Sequence, residues 1–195
     1  STIPAPIAKP LVILIAILVG GLVGALIGWL KYQFNINEVV SSIMLNYIIQ
    51  YVVAFFINTK YVDPVSRQST NISDAARLTL MNTPIGGFKF DIPLGIILAL
   101  IIAFVIQFVF NKTTFGYELK AVGSNRKAAQ YAGINVGKNM ILAMLISGAL
   151  SGLAGATYYL GYFCSIQPKV LAATGFDSIA VSLLGNSNPV GILFS

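Results

Sequence analysis

Histidine is absent from the 195 residues, and cysteine occurs once, at Cys164. The chain therefore lacks the commonest general base, the usual activator of a serine or cysteine nucleophile, and the usual zinc ligand. One cysteine excludes an internal disulfide framework and a metal site built from cysteines. The six acidic residues, Glu38, Asp63, Asp74, Asp91, Glu118 and Asp177, are scattered, with no spacing suited to paired-carboxylate catalysis or to a metal. No catalytic residue, metal ligand or cofactor is assigned. Charge of any kind is scarce: Asp, Glu, Lys and Arg make up 9% of the chain, against 56% hydrophobic residues, with a mean hydropathy of +0.82. A soluble domain does not carry so few charges, so the chain reads as an integral membrane protein. Its net charge of +6 calls for no nucleic acid, because membrane loops are routinely rich in Lys and Arg.

What the chain has is long apolar runs. Residues 11–30, 38–57, 92–110 and 140–163 are each long enough to cross a bilayer, and residues 176–195 begin a further, partial element. The expected fold is all-α, a polytopic helical membrane protein with at least four spans, all of residues 1–195 forming one transmembrane domain. The chain starts at Ser1 and stops inside an apolar stretch, which suggests a piece of a longer protein with helices missing at both ends. The lead 1–10, with three prolines, is expected to be non-helical. In the long polar loop 58–91, residues 73–81 suit a surface helix capped by Ser73. Gly20, Gly24 and Gly28 recur every four residues in the first run, and Gly148, Gly152 and Ala156 do so in the fourth. Such stripes let helix backbones approach closely, and packing drives helix association in lipid.

Polar groups inside the spans mark the faces that need partners. Asn46 and Gln50 stand four apart and share a helix face. That face is expected to turn into protein, for interhelical hydrogen bonds or for contact with a solute. Residues 185–189, Gly-Asn-Ser-Asn-Pro, break the last apolar stretch. Broken backbone at membrane depth survives where it is buried in protein or lines a path, which makes Asn186 and Asn188 candidates for that path; a turn outside the membrane is the alternative.

The polar stretch 116–134, GYELKAVGSNRKAAQYAGI, sits between two spans within the loop 111–139. Ser124 is placed to cap a short helix over 125–132, and Gly133 to end it in the left-handed conformation. Ala128, Ala129 and Ala132 would give that helix a small, flat face, with Arg126 and Lys127 beside it. The pattern Gly116, Ala121, Gly123, Asn125, Ala128, Ala129, Gly133, Ile134, followed by SGALSGLAGA at 147–156, resembles the cytoplasmic coupling loop and following helix of the ABC-importer permeases for ribose, other simple sugars, nucleosides and branched-chain amino acids. The resemblance runs from about residue 20 to the end. It implies a bacterial inner-membrane permease whose loop lies in a groove of a separate ATPase, with Gly116, Ala121, Gly123, Asn125, Arg126, Ala128, Ala129 and Gly133 as coupling residues. It also implies a second permease subunit and an extracytoplasmic solute-binding protein as partners. Residues 37–48 and 176–192 look most like the nucleoside permeases, so nucleosides come first as substrate, simple sugars second and branched-chain amino acids third.

Two further readings bear on energy supply. Residues 133–139, GINVGKN, superficially suggest a phosphate-binding loop. They have three residues between the glycines where that motif needs four, and Asn139 where it needs Ser or Thr, so ATP hydrolysis is assigned to another chain. The alternative function is a secondary transporter driven by an ion gradient, which would want an ionisable residue deep in a span; Glu38 lies only at the end of one. Lys31, Lys112, Lys120, Arg126, Lys127 and Lys138 fall on one side of the spans and Lys9, Lys60, Arg67, Arg77, Lys89 and Lys169 on the other. This tie leaves orientation to the resemblance.

Overall fold

The computed structural model describes residues 5–60, 79–85, 88–160, 174–186 and 188–193. In order these form α1 (Ala5–Phe34), α2 (Glu38–Lys60), β1 (Thr79–Ile85), β2 (Phe88–Pro93), α3 (Leu94–Lys112), α4 (Thr114–Ser124), α5 (Arg126–Tyr131), α6 (Val136–Tyr158), α7 (Thr174–Leu184) and α8 (Pro189–Leu193). Among the described residues, α1, α2, α3 and α6 are long and apolar enough to span a membrane, as the four apolar runs require. Contacts divide the chain into two compact units, Ser1–Gly95 with Ile141–Val170 and Ile96–Met140 with Leu171–Ser195.

Three local expectations change. The helix begins at Ala5 and runs through Pro10, although 1–10 was expected to be non-helical. Pro10 falls in the second turn, where its missing N–H costs one bond, and the apolar turns that follow carry the helix. An antiparallel hairpin runs from the loop 58–91 into residues 92–93, expected to open the third span, with Thr79 opposite Pro93 and Ile85 opposite Phe88 and a register shift between Leu80 and Thr83. Residues 79–81 are therefore strand, not the end of a surface helix; residues 73–78 lie outside the described residues. Finally, 114–124 is helix rather than loop.

In the first unit α1 and α2 are joined by a tight turn. Asn35 takes a positive φ of 52° after the last residue of α1, a conformation that asparagine tolerates at a helix C-terminus. Asn37 then caps α2, its Oδ1 accepting from the Val39 N–H at 2.9 Å. Lys31 Nζ and Glu38 Oε1 pair across the turn at 2.7 Å. The two glycine stripes meet. A Cβ at Gly24 would fall on the Met144 carbonyl oxygen and 2.9 Å from Gly148 Cα, and one at Gly20 would lie 2.8 Å from Gly152 Cα. α1 and α6 thus touch backbone to backbone, an approach open only to residues without a side chain.

Candidate functional site

In the second unit, α3, α4, α5 and the start of α6 build one compact element. Thr113 caps α4: its Oγ1 accepts from the Gly116 N–H at 3.2 Å and donates to the Val109 carbonyl at 2.6 Å. Gly116 is buried there, because a Cβ would fall on the Val109 carbonyl oxygen and 2.7 Å from Phe110 Cα. Lys120 Nζ adds a 3.0 Å bond to Asn111 Oδ1, so α4 is held against the end of α3 at two levels.

α4 and α5 are separated by a single extended residue, Asn125, at φ −153° and ψ 108°. Its Oδ1 accepts from the Lys127 and Ala128 amides, each at 3.1 Å. Asn125, not Ser124, is therefore the cap; Ser124 is the last residue of α4. An Asx side chain satisfies two orphan amides as well as a serine does, and the helical run of α4 decides which residue stands free to do it. At the other end, Ile134 N–H bonds Ala129 O at 3.0 Å and Gly133 N–H bonds Gln130 O at 3.1 Å, the paired bonds of a Schellman motif. Gly133 sits at φ +81°, the left-handed position expected of it.

Between α4 and α5 lies an open hollow of about 630 Å³, lined by Thr114, Tyr117, Glu118, Ala121, Ser124, Asn125, Ala128, Ala129, Ala132 and Ile134. The eight residues grouped by the motif separate physically. Gly116 and Ala129 are buried, Ala129 at 3% exposure. Ala121 is half-buried, and Gly123, Asn125, Arg126, Ala128 and Gly133 are exposed. The flat alanine face is thus offered outward by Ala128 and Ala132, while Ala129 fills the joint beneath them. A Cβ at Gly123 would meet nothing within 4 Å, so no contact inside the chain demands glycine there. Tyr117 and Tyr131 carry no role in the sequence reading, and Glu118 enters it only as one of the scattered acids; Tyr117 stands four positions before Ala121, a spacing that places both on one helix face.

The four polar path candidates fall in different units and are placed separately. On α2, Asn46 is exposed and Gln50 half-buried, and among the described residues no hydrogen bond engages either amide. A groove of about 620 Å³ is lined on α2 by Glu38, Val39, Ser42 and Ile49 and on α6 by Met144, Ser147 and Ser151, and neither Asn46 nor Gln50 lines it. Asn46 belongs to the same helical stripe as Val39, Ser42 and Ile49, at spacings of four and three. In the other unit, α7 ends and α8 begins across residues 185–188, the break expected in the last apolar stretch. Asn186 takes φ 51°. Asn188 caps α8, its Oδ1 accepting from the Val190 N–H at 3.2 Å, so part of its polarity serves the backbone.

Residues 4–195 match the family described as "Branched-chain amino acid transport system / permease component". The chain belongs to that family. Its members are permease components, parts of transport systems and not enzymes, and with four apolar helices among its described residues this permease chain is a multi-pass protein of the inner membrane. It is 50% identical over 103 residues to the Guanosine ABC transporter permease protein NupP of Bacillus subtilis, covering 52% of this chain and 30% of that one. To the Nucleoside ABC transporter permease protein NupB of Lactococcus lactis it is 43% identical over 103 residues, 52% of this chain and 28% of that one. To the Ribose import permease protein RbsC of Haemophilus influenzae it is 32% identical over 124 residues, 63% of this chain and 37% of that one. The permease chain thus spans about a third of the length of these relatives. No solved structure matches it.

Proposed function

We propose that this permease chain forms part of the translocation path of an ATP-driven importer for nucleosides, and that α4 and α5 seat in a groove of a separate ATPase. The observation that carries the reading is the α4–Asn125–α5 element: two capped helices, anchored to the end of α3, that present a small-residue hollow between two spans. Small residues admit close backbone approach, and exposed tyrosine is a side chain on which interfaces concentrate binding energy. The names of the two nucleoside-type relatives favour nucleosides over simple sugars, and those over branched-chain amino acids. Substrate would come from an extracytoplasmic binding protein and pass between two permease subunits. The hairpin that leads into α3 is read as part of the surface that meets the binding protein. The pairing of Glu38 with Lys31 at a helix end offers no support for an ion-driven transporter, which would want an ionisable group deep in a span.

The test is uptake by vesicles holding the permease with its ATPase and binding protein. Labelled guanosine should enter only with ATP and be displaced by unlabelled nucleoside, not by ribose or leucine. Uptake driven by an ion gradient without ATP would overturn the assignment.

Asn46 and Gln50 are proposed to face the path. Exchange of either for Leu should lower uptake roughly 2- to 12-fold, the worth of one hydrogen bond at about 0.5–1.5 kcal/mol, with assembly intact by size-exclusion chromatography. Unchanged uptake in both variants would remove them from the path.

A further inference from the structure

Asn139 is one of the few buried polar side chains described, at 3% exposure, and it lies one turn into α6. Its Nδ2 donates two hydrogen bonds, one to Glu118 Oε2 at 2.8 Å and one to the Asn135 carbonyl at 3.1 Å. The first joins residues 21 positions apart; the second merely closes a local turn of α6. Glu118 is half-buried on α4 and also lines the hollow against Ala128 and Ala129. One carboxylate therefore touches the proposed docking surface on one side and the base of a membrane-spanning helix on the other.

We propose that the Glu118–Asn139 bond is the link that ties movement of α4 and α5 to α6, the two side chains acting as positioning residues for coupling; this rests on the coupling role proposed above. A hydrogen bond to an ionised acceptor is shorter and stronger than a neutral one. Burial strengthens it further, and leaving either partner unpaired is costly. A directional bond to a buried amide, itself pinned to the Asn135 carbonyl, holds α4 and α6 in one register. Within about a turn of Glu118, α4 is also fixed to α3 through Gly116 and Thr113. A displacement of the α4–α5 surface then turns α6 with it.

Asn139→Asp keeps the shape but removes the donor and sets a carboxylate against Glu118. The double variant Glu118→Gln with Asn139→Asp restores an amide–carboxylate bond with its direction reversed. The measurement is transport per ATP hydrolysed by the assembled transporter in vesicles, normalised to ATPase bound. A pair that only stabilised the fold would change the amount of complex and leave this ratio alone. Asn139→Asp should lower the ratio at least about tenfold with ATPase still bound, and the double variant should recover most of it. Should Asn139→Asp fail to accumulate, Glu118→Ala gives the same reading, because α4 tolerates alanine and the link is lost from the other side. A wild-type ratio in whichever single variant assembles, or a double variant no better than Asn139→Asp, would overturn the link. Wild-type permease that retains no ATPase would overturn the coupling role itself, a separate failure visible before any variant is made.

Discussion

Ala128→Arg is expected to strip the ATPase from the detergent-solubilised permease and to abolish ATP-driven uptake, while the chain still inserts. Ala128 is exposed on α5 beside the hollow, so an arginine there finds room in the isolated chain and meets resistance only from a partner. Overpacking a close contact costs about 1–3 kcal/mol, or roughly 5- to 150-fold in association. Arg126→Ala should do much less, since an exposed charge is worth about 0–1 kcal/mol. Ala129→Arg is a different experiment. At 3% exposure its side chain fills the joint between α4 and α5, so an arginine would push the two helices apart and expose the segment to protease. Retention of ATPase with unimpaired uptake in Ala128→Arg would mean that this element does not dock the ATPase.

Gly24→Leu should prevent α1 from packing on α6 and leave little stable protein. The atoms a side chain would meet at this position, the Met144 carbonyl oxygen and Gly148 Cα, are backbone and cannot rotate away, so the helices must separate along the stripe. The milder Gly24→Ala tests the same contact quantitatively. A loss of about 1–3 kcal/mol, at about 2–4 °C per kcal/mol for a chain of this size, lowers the melting temperature by roughly 2–12 °C. Gly155→Ala, on α6 where an added Cβ meets nothing within 4 Å, is the control and should melt at or slightly above the wild type, since alanine favours helix over glycine. Equal melting of Gly24→Ala and Gly155→Ala would show that the stripe does not hold the two helices.

The spans were legible in the residues because hydrophobic length is a local property: twenty apolar residues fit a bilayer whatever surrounds them. Gly133 was legible too, since its left-handed φ follows from the chemistry of a single residue. The cap at Asn125 was misread as Ser124 because both side chains can accept the same amides. The choice depends on where α4 ends, and Ser124 remains in its last turn. The hairpin that begins in 58–91 was missed because turn-rich polar sequence supports a surface helix as readily as a short β-ribbon. Cross-strand pairing such as Thr79 with Pro93 is not visible in local spacing.

By itself the sequence determined that this is a polytopic helical membrane chain, without histidine and with one cysteine, carrying a basic stretch rich in small residues between two spans. Composition and hydrophobic run length are summed along the chain and need no partner to be read. Only the tertiary structure decided what each small residue is for. Gly24 and Gly148 meet across α1 and α6, Gly116 fits under α3, Ala129 fills a joint, and Ala128 is left facing out. It also decided that Asn139, a mismatched residue in a rejected phosphate-loop pattern, is bonded to Glu118. Contact between positions 21 apart depends on how α4 folds back beside α6, and no spacing rule along one helix encodes that distance.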